Sequence, residues 1–597
     1  MQNNMSEKKE MKIAEVKGRP MLHWIGKHPL ETVKSFPSQL VETFNIENAP
    51  KVPTFENLKT NWTNLLFHGD NKEVLSTLLV NGFRGKIDLI CIDPPFDSGA
   101  DYVRKVKLRG SDTKVEGEEQ TLLEQIQYTD IWANDNYLQF MYERILLLKE
   151  LLSEKGSIVL HCDYHKSHYL RFLLDEIFTE SCFRNEIIWG YGGGGAPDDY
   201  YPCKHDNLFW YSKSDKWIFN KQFRPYSQGT IERGLTQSKG DGYSLNEEGA
   251  GLIDLWADNK VQKILSPTAY ENMKYPTQKP VSLLERVLFG HSNDDSIVLD
   301  CFIGSGTTAA AAQKLGRKWI ACDINKGAIQ TTSKRLQNLV NSQLDELKKQ
   351  KGKLDLEEEK KTYFTSFAHY KINDYDLQVQ HNELKVLVYE HVGIKRIPTD
   401  SFFDGILGTE LVKIIPFNHP LSLLDLQLVK TELEKRKDED RNIVMVSLGM
   451  EVKVKSEIDN YNKLRPVNKI RIIELRTDKK YGSFFVHKPA QAEVEITKSK
   501  DKAKVILKEF ISPSIIRRLN IDSKLFQAQI KDFRSQIDVV IIDTDYNGEV
   551  FNICISDVPE KQKDFVKGVY EFLLKNKDSK IAVKIIDMLG EEVLIIG

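Results

Sequence analysis

The chain has 597 residues, of which 41% are hydrophobic and 28% charged, and its formal net charge is −2. This length predicts two or three domains rather than one core, and the near-neutral charge excludes a global attraction to nucleic acid, so phosphate contacts must come from local basic patches. No apolar stretch approaches the length of a membrane span and the start lacks a signal-peptide core, so we expect no membrane attachment.

The first predicted elements divide into a lead-in and a larger domain. Residues 1–62 have too few apolar positions for a core of their own, so we expect them to pack on the domain that follows. Residues 63–342 alternate apolar strands with helices, for example at 137–152 and 166–178. This alternation predicts an α/β fold with a mainly parallel sheet and helices on both faces, whose ligands gather at the carboxyl ends of the strands.

Asp93, Pro94, Pro95 and Phe96 directly follow the apolar run at 87–92. They place a carboxylate, a carbonyl and an aromatic ring at the end of a buried strand. An exocyclic amine on an aromatic base is a poor nucleophile, and its catalyst must accept hydrogen bonds from the amino protons. Asp93 and the Pro94 carbonyl are the predicted acceptors, and Phe96 is the predicted stacking surface for a flipped base. The alternative is an ordinary strand-ending turn.

Several polar residues near this motif have two interpretations. Asp70, ahead of the motif, either caps the helix that follows it or contacts a ligand. Lys105, Lys107 and Arg109 alternate along the chain, which fits phosphate contact and a solvated loop equally well. His161 and Asp163 follow an apolar run and are better interpreted as satisfied strand-end groups than as catalysts.

A second strand-turn-helix pattern begins at residue 295. It runs from a buried strand through a glycine turn into an alanine-rich helix and includes Asp300, Phe302, Gly304, Ser305, Gly306 and Thr307. The next strand ends in Asp323, which predicts hydrogen bonds to ribose hydroxyls. No third glycine opens the helix, so a cofactor without a diphosphate, S-adenosylmethionine, fits better than a dinucleotide. The alternative is a plain strand-turn-helix of an α/β sheet.

The C-terminal part differs in composition. Residues 343–369 are rich in Lys, Glu and Asp, which predicts an exposed helix or helical linker. Residues 370–597 predict a separate α+β domain, with strands at 384–389, 442–447, 469–474 and 538–543 and helices at 421–435 and 561–576. Most cysteines lie in or beside apolar strands and none pairs with histidines at ligand spacing, which favours a reducing cytoplasm and predicts no metal site.

The order of these motifs resembles the β group of DNA amino-methyltransferases, which modify adenine N6 or cytosine N4. The catalytic motif precedes the glycine loop, and residues 275–280 resemble the segment before that loop. The resemblance covers about residues 60–340. It implies a Rossmann-like, doubly wound S-adenosylmethionine-dependent methyltransferase fold, with a target-recognition insert at about residues 190–274.

The resemblance also implies residue roles. Asp70 would contact the cofactor adenine, Asp323 the ribose and Lys279 the carboxylate, although Lys279 is also compatible with a solvated loop. The methionine part would meet the glycine turn and its neighbours. The implied cofactor-binding set is Asp70, Thr277, Lys279, Asp300, Phe302, Gly304, Ser305, Gly306, Thr307 and Asp323.

The layout of the whole chain is similar to that of modification subunits of type III-like restriction-modification systems. This similarity implies double-stranded DNA as substrate, a C-terminal domain for assembly and DNA engagement, a restriction or helicase subunit on a separate chain, a homodimer as one assembly, and a bacterial or archaeal cytoplasm. Adenine is preferred over cytosine because the catalytic motif opens with Asp93, whereas many cytosine-N4 enzymes of the family have Ser there. The alternatives are cytosine-N4 or RNA methylation, or a catalytically idle DNA-binding subunit.

Overall fold

The computed structural model describes the larger part of the chain. The described residues are 10–12, 21–24, 27–30, 32–46, 48–95, 101–110, 122–129, 136–192, 195, 197–233, 246–263, 271, 273, 278–351, 364–372, 388–389, 392–397, 400, 402–415, 421–447, 449–450, 452–464, 466–475, 489–499, 501–513, 515–516, 532–559, 561, 563–576 and 578–597. Among them, no helix combines the length and the apolar character that crossing a lipid bilayer requires.

The regular elements alternate between strands and helices up to residue 351 and are mostly strands beyond it. The strands are β1 (Glu10–Lys12), β2 (Thr32–Lys34), β3 (Ser38–Phe44), β4 (Asn64–His68), β5 (Ile87–Ile92), β6 (Asp101–Lys107), β7 (Leu122–Thr129), β8 (Leu152–Cys162), β9 (Phe183–Gly190), β10 (His205–Ser212), β11 (Phe223–Arg224), β12 (Ala250–Gly251), β13 (Leu255–Trp256), β14 (Ile297–Asp300), β15 (Lys318–Asp323), β16 (Phe367–Ile372), β17 (Lys395–Arg396), β18 (Gly405–Leu407), β19 (Glu410–Ile414), β20 (Ile443–Ser447), β21 (Ile470–Glu474), β22 (Gln491–Ser499), β23 (Lys502–Ile511), β24 (Ile537–Asp543), β25 (Phe551–Ile553), β26 (Ile555–Asp557), β27 (Val569–Leu573), β28 (Ala582–Asp587) and β29 (Glu592–Ile596). The α-helices are α1 (Phe55–Leu58), α2 (Asn71–Leu78), α3 (Asn136–Leu151), α4 (Ser167–Phe178), α5 (Gln228–Arg233), α6 (Val281–His291), α7 (Thr307–Lys314), α8 (Lys326–Lys351), α9 (Leu423–Lys435) and α10 (Val452–Lys463).

The central sheet has the strand order β13-β9-β10-β8-β5-β14-β15-β4-β16-β3-β25. Its middle strands, from β8 to β16, all run parallel, while β10 on one side and β3 on the other pair with them in the antiparallel sense. Such a sheet needs helices on both faces, because its strands are buried on both sides. The structure confirms the predicted mainly parallel α/β fold.

Alternation along β5 shows how both faces are covered. Ile90 and Ile92 belong to one buried cluster, which also includes residues of α2, α3 and α4. Leu89 and Cys91 belong to a second cluster, which includes residues of α6, α7 and α8. Because successive side chains of a strand point to opposite faces, one apolar run serves both clusters.

The N-terminal and C-terminal parts are joined to this core. β3 of the predicted lead-in and β25 of the predicted C-terminal domain pair with each other in the central sheet. β16 also lies in that sheet, so the predicted boundary at residue 369 falls within a strand. On α8, Lys334 pairs with Asp538 at 2.7 Å. The C-terminal residues therefore complete the packing of the central sheet as well as forming sheets of their own.

The C-terminal elements agree with most of the sequence predictions. The predicted strands at 442–447, 469–474 and 538–543 are β20, β21 and β24, and the predicted helix at 421–435 is α9. The predicted helix at 561–576 is wrong, because β27 occupies residues 569–573 and pairs with β23. Tyr570 is buried while Val569 and Glu571 are exposed, and this period of two is typical of a strand. Of the predicted strand at 384–389, residues 384–387 lie outside the described part, and residues 388–389 are helical.

Arg109 fits neither of its two interpretations, phosphate contact or a solvated loop. Its side chain is buried, pairs with the Asp538 carboxylate at 2.7 Å and donates to the backbone carbonyls of Ile537 and Lys561. A buried guanidinium needs acceptors on all sides, and here the C-terminal domain supplies them. The side chains of Lys105 and Lys107 lie outside the described part.

Candidate active site

Five polar side chains converge at one edge of the central sheet. The strands β8, β5, β14, β15 and β4 are adjacent and parallel, so their carboxyl ends meet there. The residues within two positions of those ends are His161, Asp93, Asp300, Asp323 and Asp70. The structure thus brings together the acidic members of the predicted catalytic and cofactor-binding sets.

Asp93 is held by two cationic side chains. Its Oδ1 lies 2.5 Å from His161 Nδ1 and its Oδ2 lies 2.5 Å from Lys279 Nζ. Burial alone would raise the pKa of the Asp93 carboxyl, but the charges and hydrogen bonds of Lys279 and His161 lower it to about 2. Asp93 is therefore ionised at neutral pH and offers a carboxylate at the end of β5.

The position of Lys279 bears on its predicted role. The Asp93 contact places this ammonium at the catalytic carboxylate, while the backbone carbonyl of Lys279 lies 3.4 Å from Thr307 Oγ1 at the start of α7. An ammonium has three donors, so it can bind Asp93 and a ligand carboxylate together. Binding of the cofactor carboxylate by Lys279 stays a prediction.

The glycine turn between β14 and α7 has the backbone geometry that only glycine adopts easily. Gly304 and Gly306 have φ angles of 49° and 78°, in the left-handed region. The Gly304 amide donates to Asp323 Oδ2 at 2.9 Å, and its carbonyl accepts from Thr332 Oγ1 at 3.1 Å. A side chain on Gly306 would place its Cβ 2.8 Å from Thr332 Oγ1. The turn is thus fixed against α8 and presents bare backbone at the sheet edge.

Asp300 and Asp323 are acidic groups whose charged form is disfavoured by burial. Burial raises the pKa of Asp300 to about 7 and that of Asp323 to about 6, although backbone amides donate to both. The neighbouring carboxylates of Asp93 and Asp323 raise the pKa of Asp300 further. Hydrogen-bond donors on a bound ligand would relieve this cost. Ribose hydroxyls and an amino group are such donors, so the two carboxylates fit a nucleoside cofactor bearing an amino acid.

We expect the Asp323→Asn variant to gain stability relative to the wild type as the pH rises from about 4 to about 6. Asp323 titrates near its usual value of 3.8 in the unfolded chain but near 6 in the folded protein. Between these values the folded state holds a proton that the unfolded chain has released, so stability falls with rising pH, by on the order of 2 kcal/mol for this group. Urea unfolding of both cofactor-free proteins across this range measures the difference.

Asp215→Asn, on an exposed loop after β10, is the control for this comparison. Its stability relative to the wild type should stay flat over the same range. A flat difference for Asp323→Asn as well would contradict the prediction.

Asp70 has the capping role that was one of its two interpretations, and a buried partner besides. Its Oδ1 accepts from the Lys72 amide at 2.8 Å, which caps α2. Arg144 on α3 donates to both Asp70 carboxylate oxygens, at 3.2 and 3.0 Å. The guanidinium also stacks 3.4 Å from the Phe140 ring, which lies 6.1 Å from that of Phe302. Asp70 and Phe302 therefore belong to one ordered wall of the site.

Arg335 is a site residue that the sequence reasoning missed. It lies on α8 and donates to the Ser305 carbonyl and to Thr307 Oγ1, both at 3.0 Å. Burial lowers the pKa of this guanidinium to about 10, although the charge of Glu271 acts in the other direction. Nothing in the sequence marks Arg335, because its partners lie about one helix and one strand earlier in the chain.

The remaining predicted residues lie partly within and partly outside the described part of the chain. Pro94 and Pro95 follow Asp93 at the sheet edge. Phe96 and Thr277 lie outside the described residues, so stacking by Phe96 and cofactor contact by Thr277 stay predictions. Of the predicted recognition insert, residues 234–245 and 264–270 also lie outside the described part.

Comparison with known proteins identifies two matching families. Residues 87–334 match a family described as DNA methylase, and residues 281–411 match the D12 class N6 adenine-specific DNA methyltransferases. The type II methyltransferase M.HpaI of Haemophilus parainfluenzae is 29% identical over 266 residues, which are 44% of this chain and 72% of that protein. The DNA adenine methyltransferase YhdJ of Escherichia coli (strain K12) is 25% identical over 289 residues, covering 48% and 87%. The Mod subunit of the type III restriction-modification enzyme StyLTI of Salmonella typhimurium is 26% identical over 353 residues, covering 45% and 53%.

Proposed function

Since residues 87–334 of this chain belong to the N6/N4 DNA methylase family, we propose that the protein transfers a methyl group from S-adenosylmethionine to the N6 amino group of adenine in DNA. The observation that carries the proposal is the ionised Asp93 carboxylate beside the buried Asp300 carboxylate at one sheet edge. The Asp93 carboxylate can accept hydrogen bonds from an amino group of the base, and the Asp300 carboxylate can accept them from the cofactor. The second matched family and the YhdJ relative favour adenine over cytosine.

The cofactor-binding half of the site consists of the ends of β14 and β15 and the glycine turn between β14 and α7. Asp323 would hold the ribose hydroxyls of S-adenosylmethionine, and Asp300 with the turn glycines would hold its amino-acid part. Asp70, which Arg144 orients, would contact its adenine. Bound S-adenosylmethionine supplies an activated methyl group on a positively charged sulfur.

The catalytic half is the end of β5. A base inside a duplex cannot reach the end of this strand, so the target adenine flips out of the helix and lies against Phe96. Asp93 and the Pro94 carbonyl accept hydrogen bonds from the amino group, which directs the nitrogen lone pair at the methyl carbon. Transfer forms one nitrogen–carbon bond, breaks one sulfur–carbon bond and releases one proton from the amine. Asp93 is placed to accept that proton once the new bond has formed.

The biological setting is proposed from the relatives. The StyLTI Mod subunit belongs to a restriction-modification enzyme, and we propose that this protein likewise provides the modification activity of such a system. Its DNA substrate is double-stranded. A restriction or helicase subunit on a separate chain and a second copy of this chain are the proposed partners, and the C-terminal domain is the proposed place for assembly.

Expression in a bacterium without DNA methylation tests the reaction. We expect modified-base sequencing of the genomic DNA to find N6-methyladenine in one sequence motif. A nucleoside digest of the same DNA should contain N6-methyladenine as its only modified base. The matched control is the same host carrying the empty vector. N4-methylcytosine instead would show that the base was wrongly assigned. If no base is modified and the purified protein binds no S-adenosylmethionine, the methyltransferase proposal fails.

A further inference from the structure

A chain of polar side chains stands behind Asp93 and has no part in the reaction as described. His161 Nδ1 contacts Asp93 Oδ1 at 2.5 Å, and His161 Nε2 contacts Asp206 Oδ2 at 3.2 Å. Tyr191 donates its hydroxyl to Asp206 Oδ1 at 2.9 Å. His161 lies on β8, Asp206 on β10 and Tyr191 directly after β9. The side chains from the other two segments therefore meet at the Asp206 carboxylate.

The geometry fixes the charge of the His161 ring. Carboxylate oxygens accept hydrogen bonds and do not donate them, so a ring nitrogen beside each of two carboxylates must carry a proton. A neutral imidazole has one such proton and an imidazolium has two. His161, with both nitrogens against carboxylates, is therefore an imidazolium between Asp93 and Asp206.

The surrounding charges agree with this state. Burial and the charge of Lys279 act to lower the pKa of His161, but Asp93 and Asp206 raise it above its ordinary value. For Asp206, burial raises the carboxyl pKa, and the hydrogen bond and charge of His161 lower it to below the usual range. Lys263 and Asp163 are further charged neighbours among the described residues: Lys263 Nζ lies 3.5 Å from the centre of the Tyr191 ring, and the charge of Asp163 acts on Tyr191 and on Lys263.

The His161 ring is also mechanically constrained. Only 7% of its side chain is exposed, and its ring lies edge-on against buried Trp189 with the centroids 5.8 Å apart. Lys279, the other partner of Asp93, has a flexible four-carbon stem. A rigid ring with a fixed anchor orients a carboxylate better than a flexible ammonium does, because less freedom is left in the contact.

We propose that His161 is a positioning residue, anchored by Asp206, whose imidazolium holds Oδ1 of Asp93 so that Oδ2 stays directed at the incoming amino group. The proposal rests on the proposed function and deepens it. In it, Lys279 shares Oδ2 with the substrate amine, whereas His161 keeps Oδ1 throughout. His161 does not touch the base or the cofactor.

Two substitutions and one control test this role. His161→Gln keeps one donor for Asp93 but cannot be charged, and Asp206→Asn removes the anion that anchors the ring. His168→Gln is the matched control, because His168 is exposed on α4. Methyl transfer from labelled S-adenosylmethionine to genomic DNA of a methylation-free bacterium is measured against pH, together with calorimetric binding of S-adenosylmethionine.

We expect His161→Gln to lower kcat by about 10²-fold with the cofactor Kd unchanged, since a misplaced catalytic group costs about that factor. In the wild type, kcat should fall at high pH as His161 loses its proton, and this fall should be absent in His161→Gln. In Asp206→Asn the fall should move to lower pH, because the neutral amide no longer raises the pKa of the ring. His168→Gln should behave as the wild type does.

Other outcomes overturn one proposal or both. Wild-type kcat and an unchanged pH profile in His161→Gln, beside an active wild type, would overturn the positioning role and leave the proposed function standing. If both variants lose cofactor binding as well as kcat, His161 has a structural role, and this result too would overturn the positioning role. No transfer by the wild type would overturn the proposed function, and the positioning role with it.

Discussion

Replacing Asp93 with asparagine should lower methyl transfer to DNA by about 10³-fold while leaving S-adenosylmethionine binding within about twofold of the wild type. The amide keeps the shape of the side chain but loses the charge, and one of its two ends then donates rather than accepts. Removal of one preorganised group that stabilises charge in the transition state typically costs about 10²- to 10³-fold. Initial rates with labelled cofactor and calorimetric binding separate the two effects.

The control for Asp93→Asn is Asp215→Asn, which changes an exposed carboxylate after β10 and should keep full activity. Asp93→Ala should also be inactive, but it leaves Lys279 and His161 facing each other without the carboxylate, which adds a stability cost. Transfer at the wild-type rate by Asp93→Asn would contradict the catalytic role proposed for this residue.

Replacing Gly304 with valine should weaken S-adenosylmethionine binding, raising Kd by at least about 10²-fold. Both backbone polar groups of Gly304 are engaged, the amide by Asp323 and the carbonyl by Thr332, so the turn cannot move away from a new side chain. At a φ of 49° a non-glycine residue costs about 1–2 kcal/mol, and the branched side chain fills space at the edge where the ligand approaches. Calorimetric titration measures the loss of binding.

A second valine variant, Gly316→Val, separates the effect of backbone strain from the effect of filling the space for the ligand. Gly316, two residues after the end of α7, has a φ of 71° and lies at the opposite end of that helix from the glycine turn. Gly316→Val should lower the midpoint of thermal unfolding by a similar amount yet keep cofactor affinity. If Gly304→Val binds the cofactor as tightly as Gly316→Val does, the turn is not the cofactor site.

The elements of the central sheet were predictable because their signals are local. An apolar run such as 87–92 is buried on both faces wherever it sits in a parallel sheet, and the polar residue that follows it must lie at the carboxyl edge. Asp93, Asp300 and Asp323 were located in this way. The motif order that indicated a methyltransferase is likewise a property of the sequence alone.

Elements without a strong local period were predicted less well. The helix expected at 561–576 is the strand β27 at its centre, because pairing with β23 outweighs the intrinsic preference of the segment. Arg109 was interpreted as an exposed basic residue, but its guanidinium is buried against Asp538. The pairing of β16 and β25 with the central sheet likewise depends on partners that sequence patterns do not reveal.

The sequence by itself determined the fold class, the edge of the sheet where the site lies, and the identity of the acidic groups there, because periodicity and strand ends are encoded within a few residues. Only the tertiary structure decided how these groups are charged and held. His161 and Lys279 contact Asp93 from 68 and 186 residues away, and Arg109 contacts Ile537 across 428 residues. Such contacts set the pKa of Asp93 and join the C-terminal part to the core, and they depend on chain packing, which no local pattern encodes.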